Sequence, residues 1–255
     1  MVIVSLLTSF WHACIGKPHC LLCHDYADGS GLCHPCWQDI SSLQRPERDI
    51  CLQCHSGNLT AGTCEQCGQH WPFARLYASY RYATPLRQIL SAYKHQRQLA
   101  LLDTLAALML ARPPQWLETA QIDAVLAMPL SRQRLFKRGF NQSQLLAASI
   151  ARHYGLPLLP PYCIDRSHRP PQSTLKKSAR QRNVRGVFHL KQPVKKRNLL
   201  LIDDVVTTGA TIAELAQTLK NRVLHRFLFG RWLIRIEKIF DRQRLVWHSV
   251  ALINY

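Results

Sequence analysis

Strand-like and helix-like segments alternate along the middle of the chain. Short, mostly apolar runs are typical of buried strands, and they occur at 76–82, 122–128 and 199–202. Longer stretches with apolar residues at helical spacing separate them, at 86–93, 99–110, 141–153 and 212–220. This alternation predicts an α/β fold whose sheet is mostly parallel, with helices on both faces.

The first 67 residues hold nine of the ten cysteines, and eight of these form a repeat. A C-x2-C-x9-C-x2-C unit begins at Cys20 and recurs 31 residues later at Cys51. The candidate metal ligands are the eight cysteines of the two units, namely Cys20, Cys23, Cys33, Cys36, Cys51, Cys54, Cys64 and Cys67. We therefore predict a cysteine-rich head at 14–72 in front of the α/β domain.

Zinc is the metal that this spacing favours. Two C-x2-C pairs can supply four thiolates in a tetrahedral arrangement, which is the ligand set of closed structural zinc sites. The repeat favours two zinc ions, one per unit, although an interleaved pairing of the first pair with the third and the second with the fourth also fits. Iron–sulfur ligation fits regular pairs less well, and disulfides need an oxidising compartment. The head is too small to fold without the free energy of metal binding.

The positive charge of the chain is concentrated in one region. The formal net charge is +18, and residues 131–200 contain 16 Lys and Arg against one acidic residue, Asp165. Such a region indicates a polyanionic partner: phosphate, pyrophosphate or nucleic acid. Single-stranded DNA is one candidate, with Phe136, Phe140 and Tyr154 able to stack on bases, although packing is the more ordinary role of such rings.

Nothing in the chain indicates a membrane protein. No apolar run is long enough to span a bilayer, and the apolar first eleven residues lack the basic start of a signal peptide. We expect a cytoplasmic protein without membrane insertion.

The strand at 199–202 ends in two acidic residues, Asp203 and Asp204. Ligands bind at the carboxyl ends of parallel strands. A turn of small residues follows, made of Thr207, Thr208, Gly209, Ala210 and Thr211. Its backbone amides and hydroxyls, at a helix N-terminus, can hold a phosphate, while the carboxylates suit ribose hydroxyls or Mg²⁺. The segment therefore predicts a ribose phosphate site.

All thirteen positions of 199–211 resemble the phosphoribosyl pyrophosphate (PRPP) motif of type I phosphoribosyltransferases. The motif has four apolar residues, two acidic residues, two variable residues and then T-T-G-x-T. The resemblance implies the fold of those enzymes, with PRPP as ligand and Mg²⁺ bound with it.

More of the chain resembles the ComF/GntX family of competence-type proteins, which join a CxxC zinc head to a phosphoribosyltransferase domain in this order. The segments that carry the resemblance are Tyr93-Lys94, 128–143 and 172–188. It covers roughly residues 14–220 and implies a phosphoribosyltransferase-like domain at 76–221.

The resemblance also implies roles for single residues. Asp203 and Asp204 would bind ribose and Mg²⁺, residues 207–211 would hold the 5′-phosphate, and Pro129 and Leu130 would begin the pyrophosphate loop. A mobile lid at 166–182 would neutralise a departing diphosphate through its basic residues, the candidates being Lys176, Lys177, Arg180 and Arg182.

The C-terminal segment 222–255 departs from the family pattern. The family has a short Gly-Ala turn and a final strand there, whereas this chain mixes arginines with aromatic residues. A divergent ending and a shifted reading frame would both produce this pattern. We therefore assign no function to the segment, and its pattern does not indicate the last strand beside the PRPP site.

Three hypotheses about function follow. The first is a PRPP-binding protein that serves DNA uptake or the use of imported DNA, with competence proteins and single-stranded DNA as candidate partners. The second is an active phosphoribosyltransferase that salvages a nucleobase. The third is a non-catalytic interaction module whose zinc head recruits proteins, with PRPP as a regulatory ligand.

Overall fold

A computed structural model gives the architecture of the chain. The stretches that it describes are 18–27, 31–44, 51, 59–60, 63–64, 71–169, 184–194, 198–206, 209–224 and 247–254.

The helices of these stretches are α1 (His34–Ser41), α2 (Leu86–His95), α3 (Leu101–Leu110), α4 (Arg132–Arg138), α5 (Gln142–His153) and α6 (Ala210–Leu224). The strands are β1 (Leu59–Thr60), β2 (Thr63–Cys64), β3 (Arg75–Tyr80), β4 (Ala124–Ala127), β5 (Ile164–Arg166), β6 (Phe188–Leu190), β7 (Asn198–Val205) and β8 (Trp247–Asn254). The predicted elements are present with small shifts of their ends; α1, α4, β1, β2, β5, β6 and β8 are additional.

Four strands form the main sheet, in the order β3-β8-β7-β4. β4 and β7 are parallel, with Val125 opposite Leu200, whereas β8 is antiparallel to both β7 and β3. β3, β7 and β4 therefore run in the same direction, and β8 is the antiparallel strand among them. The parallel strands agree with the predicted α/β class, whereas β8 comes from the C-terminal segment, where the sequence pattern indicates no strand.

Helices cover both faces of this sheet, as an α/β fold requires. Successive residues of a strand point to opposite faces. Leu200 of β7 therefore packs with Leu105 of α3 and Leu146 of α5, while Leu201 packs with Leu215 of α6. These strand residues are fully buried, which explains why β7 is an unbroken apolar run.

The start of α5 is fixed to the end of β4 by Asn141. Its side-chain oxygen accepts a hydrogen bond from Ser143 N (3.1 Å), the usual N-cap interaction. Its Nδ2 donates to the carbonyl of Met128 (3.1 Å), just beyond β4. The loop between β4 and α5 is thereby anchored beside the carboxyl end of β7.

The described part of the cysteine-rich head shares its hydrophobic core with the α/β domain. Cys20, Leu32 and Ile40 belong to the same buried cluster as Leu105. The backbone N–H of Arg81 donates to a head carbonyl, Leu43 O, at 2.8 Å. Substitutions that destabilise the head should therefore also destabilise the α/β domain.

Candidate functional site

A cleft of about 200 Å³ opens at the carboxyl ends of β4 and β7. Its floor is formed by Asp203 and Asp204, the acidic pair near the end of β7. Pro129 and Leu130, which follow β4, form one wall, and Thr211 of α6 also lines the cleft. The position is the one where ligands bind in open α/β sheets.

The carboxylates of Asp203 and Asp204 are both buried, but they have different partners. Asp203 and Asp204 are only 9% and 8% exposed. Asp203 Oδ1 accepts hydrogen bonds from Ser143 Oγ (3.1 Å) and from the backbone N–H of Asp204 (2.9 Å). Asp204 Oδ2 forms an ion pair with Lys94 Nζ at 2.9 Å. Three segments far apart in sequence thus hold the acidic pair.

Asp203 titrates near neutral pH. Burial and the neighbouring charge of Asp204 raise its pKa to about 7, although Lys94 and Arg166 act in the opposite direction. Functional sites commonly contain groups whose pKa values are shifted in this way.

Four cationic side chains line the cleft beside the acidic pair: Lys94, Arg134, Arg138 and Arg166. Arg166 is held by a hydrogen bond from its Nη1 to the carbonyl of Pro129 (3.1 Å), and its guanidinium lies 5.3 Å from the ring centre of Phe188. Burial lowers the pKa of Arg166 and of Arg134, but arginine stays protonated in proteins. The cleft therefore offers fixed positive charge to an anionic ligand.

Gln142 contributes a hydrogen-bond donor that has no partner among the described residues. Its side chain is 1% exposed, its Oε1 accepts from Arg138 Nη1 (2.9 Å), and its Nε2 is buried without an acceptor. Buried donors are nearly always satisfied. Because Gln142 lines the cleft, an oxygen of a bound ligand could accept the hydrogen bond from its Nε2.

The described part of the small-residue turn begins at Gly209, just before α6. Gly209 has φ of +70°, which suits glycine, and Trp71 and Leu76 lie against it. Its carbonyl accepts from Ala213 N (2.8 Å) at the start of α6. The N-terminus of α6 thus lies at the cleft, and Thr211 reaches its lining.

The predicted site residues divide into two groups. Asp203, Asp204, Pro129, Leu130 and Thr211 come together around the cleft, whereas Gly209 precedes α6 and Ala210 is its first residue. The remaining ones fall outside the described residues, and these are Thr207, Thr208, Lys176, Lys177, Arg180 and Arg182.

Lys94, Ser143, Gln142, Arg134 and Arg138 have no predicted site role, although they lie in the segments that carry the family resemblance. Arg166 is the first residue of the predicted lid, and the structure places it at the end of β5. Ser143 and Gln142 begin α5, the second helix after β4, and their place in the 128–143 segment is a signal that could have identified them. Lys94 lies in the last turn of α2 and belongs to the Tyr93-Lys94 motif, but that motif does not indicate its ion pair with Asp204.

The first cysteine unit forms a candidate metal centre. The sulfur atoms of Cys20, Cys23, Cys33 and Cys36 all lie within 4.8 Å of one another. For this unit the structure favours one ion per copy over the interleaved pairing. Cys51 and Cys64 of the second unit are described, but Cys54 and Cys67 are not.

The pKa shifts of these thiols agree with a site that binds a cation. Burial raises the pKa of Cys20, but hydrogen bonds from the backbone N–H groups of Cys23, Cys33 and Leu22 outweigh it and lower that pKa to about 6. Burial and the other three thiols raise the pKa of Cys36. A divalent cation would relieve this mutual repulsion, and four thiolates are the ligand set that zinc prefers.

Within the described stretches, none of the helices has the length and apolar character that a bilayer span requires.

Comparison with known proteins identifies several relatives, while no family model matches the chain. The DNA utilization protein YhgH of Escherichia coli (strain K12) is 32% identical over 197 residues, which is 74% of this chain and 84% of that protein. Competence protein F of Haemophilus influenzae is 29% identical over 200 residues, covering 75% of this chain and 85% of that protein. Competence protein ComFC of Bacillus subtilis is 27% identical over 232 residues, or 82% and 91%.

Proposed function

The chain belongs to the ComF/GntX family of competence and DNA-utilization proteins, and we propose that its cleft binds PRPP in the service of DNA uptake or the use of imported DNA. The observation that carries the PRPP proposal is the buried Asp203–Asp204 pair at the end of β7, with four cations around it.

The cleft matches the three chemical parts of PRPP. The carboxylates of Asp203 and Asp204 accept hydrogen bonds from the 2- and 3-hydroxyls of ribose. The turn at the start of α6 faces the 5′-phosphate, because a helix N-terminus favours negative charge. Arg134, Arg138 and Lys94 neutralise the diphosphate, and planar guanidinium groups can bind it in a bidentate way.

Mg²⁺ also fits this donor set, because hard cations prefer carboxylate and phosphate oxygens. Asp203 and Asp204 would hold it together with the diphosphate, whose charge it would help to neutralise.

Zinc has a structural role in this proposal. Four cysteines saturate the ion and leave no open position for catalysis. Since the head packs into the domain core, the metal stabilises the fold that carries the cleft.

The role in DNA use is supported by the names of the relatives and by the charge of the chain. Relatives are named as DNA utilization and competence proteins. The basic region 131–200 supplies α4 and three of the arginines discussed above, and a polyanionic strand would bind to such a surface.

A second candidate is an active phosphoribosyltransferase. The specific observation in its favour is that buried Arg166 and the α4 arginines lie where a departing diphosphate would gain charge. Preorganised cations of this kind stabilise the transition state of such a transfer. Pyrophosphate release that depends on one particular nucleobase would distinguish turnover from binding alone.

Calorimetry of the zinc-replete protein with PRPP and Mg²⁺ tests the proposal. We expect saturable binding that Asp203→Asn weakens at least tenfold, because one carboxylate acceptor for ribose is lost. Asp103→Asn is the control, since Asp103 is an exposed acid on α3 away from the cleft lining. Equal affinity of the wild type and Asp203→Asn for PRPP would contradict the proposed site.

A further inference from the structure

A second and larger cavity lies beside the PRPP cleft. Its volume is about 430 Å³, and it shares Pro129, Leu130 and Asn141 with the first. Ligand pockets of small molecules fall in this size range. Neither the motif at the end of β7 nor the zinc head accounts for it.

Apolar side chains form most of the lining of this cavity, which we call the side pocket. They come from β4, α4, α5, the segment before β5 and β5 itself, and include Leu126, Leu135, Leu145, Leu159, Pro160 and Ile164. A ligand that fills the side pocket must therefore present apolar faces.

Polar groups also line the side pocket. Gln144 and Asn141 offer amide donors and acceptors. Asp165 Oδ1 accepts from the backbone N–H of Arg166 (2.9 Å), while its Oδ2 lies 4.0 Å from Lys191 Nζ, a long and partly exposed pair. Arg132 adds a further cation. The ligand therefore needs a hydrogen-bonding edge and a negative charge as well as apolar faces.

An exposed tyrosine completes the lining. Tyr162 is 63% exposed in the short helical turn before β5. Aromatic rings in such positions serve as platforms on which nucleobases stack.

We propose that the side pocket binds a nucleotide, with the base between the apolar lining and Tyr162 and the phosphate against Arg132 and Lys191. A nucleobase has apolar faces, and its edge carries donors and acceptors for Gln144 and Asp165. The phosphate matches the positive charge of this part of the chain, where 131–200 has 16 basic residues and one acidic residue. Asp203 and Asp204 do not line the side pocket, although Pro129, Leu130 and Asn141 line both cavities, so nucleotide binding is tested apart from PRPP binding.

A titration of the full-length, zinc-replete protein with a short fluorescent deoxyoligonucleotide tests this, without PRPP. We expect an abasic oligonucleotide of equal length to bind roughly tenfold more weakly or worse, because stacking is lost. Tyr162→Ala should weaken binding of the normal oligonucleotide by a similar factor, and Tyr162→Phe should restore it. Tyr26→Ala is the matched control, because Tyr26 is 62% exposed on the head and does not line the pocket.

The source of the nucleotide is decided by competition with a free deoxynucleoside monophosphate. Displacement of the oligonucleotide at millimolar monophosphate supports a pocket for free nucleotides, and lack of displacement supports recognition within a single strand. Equal binding of normal and abasic strands, together with no effect of Tyr162→Ala, overturns the proposal. A shift from dimer to monomer on Tyr162→Ala in sedimentation also overturns it, because the pocket would then be covered by a second copy of the chain.

Discussion

At the scale of single residues, the central feature is the buried carboxylate pair of Asp203 and Asp204. Asp203 shares one oxygen between Ser143 and the Asp204 backbone, and Asp204 is paired with Lys94. Burying two acids side by side costs stability, which proteins generally accept at functional sites. A ligand that brings hydroxyl donors to this pair recovers part of that cost.

The pKa of Asp203 leads to a stability prediction for the ligand-free protein. In the folded chain this pKa is raised to about 7 by burial and by Asp204, whereas an unfolded aspartate has a pKa of about 3.9. The folded state binds the proton more tightly, so this contribution to stability is complete below about pH 4 and is lost as the pH rises towards 7.

Asp203→Asn should therefore stabilise the ligand-free protein at about pH 8 and less so at about pH 5. Asparagine cannot ionise, yet its Oδ1 can still accept from Ser143 and the Asp204 backbone. Urea unfolding across this range measures the difference from wild type, with Asp103→Asn as the control. A difference that does not change with pH would show that Asp203 does not titrate in this range.

The sequence predicts some residues of the cleft because their signal is local. Asp203, Asp204 and Thr211 lie in one continuous motif, and Leu130 follows a recognisable strand. Ser143 lies 60 residues from the aspartate that it contacts. Contacts of this kind depend on how α2 and α5 pack against the sheet, which no local pattern records.

At the scale of elements, β8 is the part of the fold that sequence reasoning missed. Its segment follows a stretch that mixes arginines with aromatic residues, so neither strand nor helix periodicity indicates a boundary. The pairing with β3 and β7 decides its conformation, and tertiary context of this kind often determines strands. Buried β7, in contrast, is identifiable from its unbroken apolar run.

The contact between the head and α3 depends on a glycine. Gly31 has φ of +78°, and an added Cβ would lie 2.5 Å from Thr104 Oγ1 of α3. Gly155 also has a positive φ, +64°, but its added Cβ would meet nothing within 4 Å. Alanine strains the backbone at either position, but only at Gly31 would its Cβ also overlap a side chain. A comparison of the two alanine variants therefore separates backbone strain from steric overlap.

We expect Gly31→Ala to lower the free energy of unfolding by about 1–3 kcal/mol more than Gly155→Ala, which is the usual cost of overpacking. Chemical denaturation of both variants measures this difference. Equal losses in the two variants would mean that the head does not pack tightly against α3.

At the scale of the whole molecule, the metal centre and the cleft belong to one cooperative structure. Cys20 and Cys33 lie in the core cluster that also contains Tyr93, the neighbour of Lys94. Loss of metal from the head should therefore also destabilise the α/β domain.

Cys33→Ser should remove one zinc per chain and lower the melting temperature of the entire protein in a single transition, because structural zinc supplies folding energy. Cys163→Ser is the control, since Cys163 is equally buried but lies outside the cysteine cluster. Zinc analysis and calorimetric melting of the same samples measure both effects. An unchanged melting temperature after zinc loss would indicate that the head folds independently of the domain.

A crystal structure of the protein with PRPP and Mg²⁺ tests PRPP binding in the cleft most directly. We expect the ribose hydroxyls within hydrogen-bond distance of Asp203 and Asp204, the 5′-phosphate at the N-terminus of α6, and the diphosphate near Lys94 and the cleft arginines. Density for PRPP elsewhere, or a cleft without PRPP at saturating concentration, would show that the cleft is not the PRPP site.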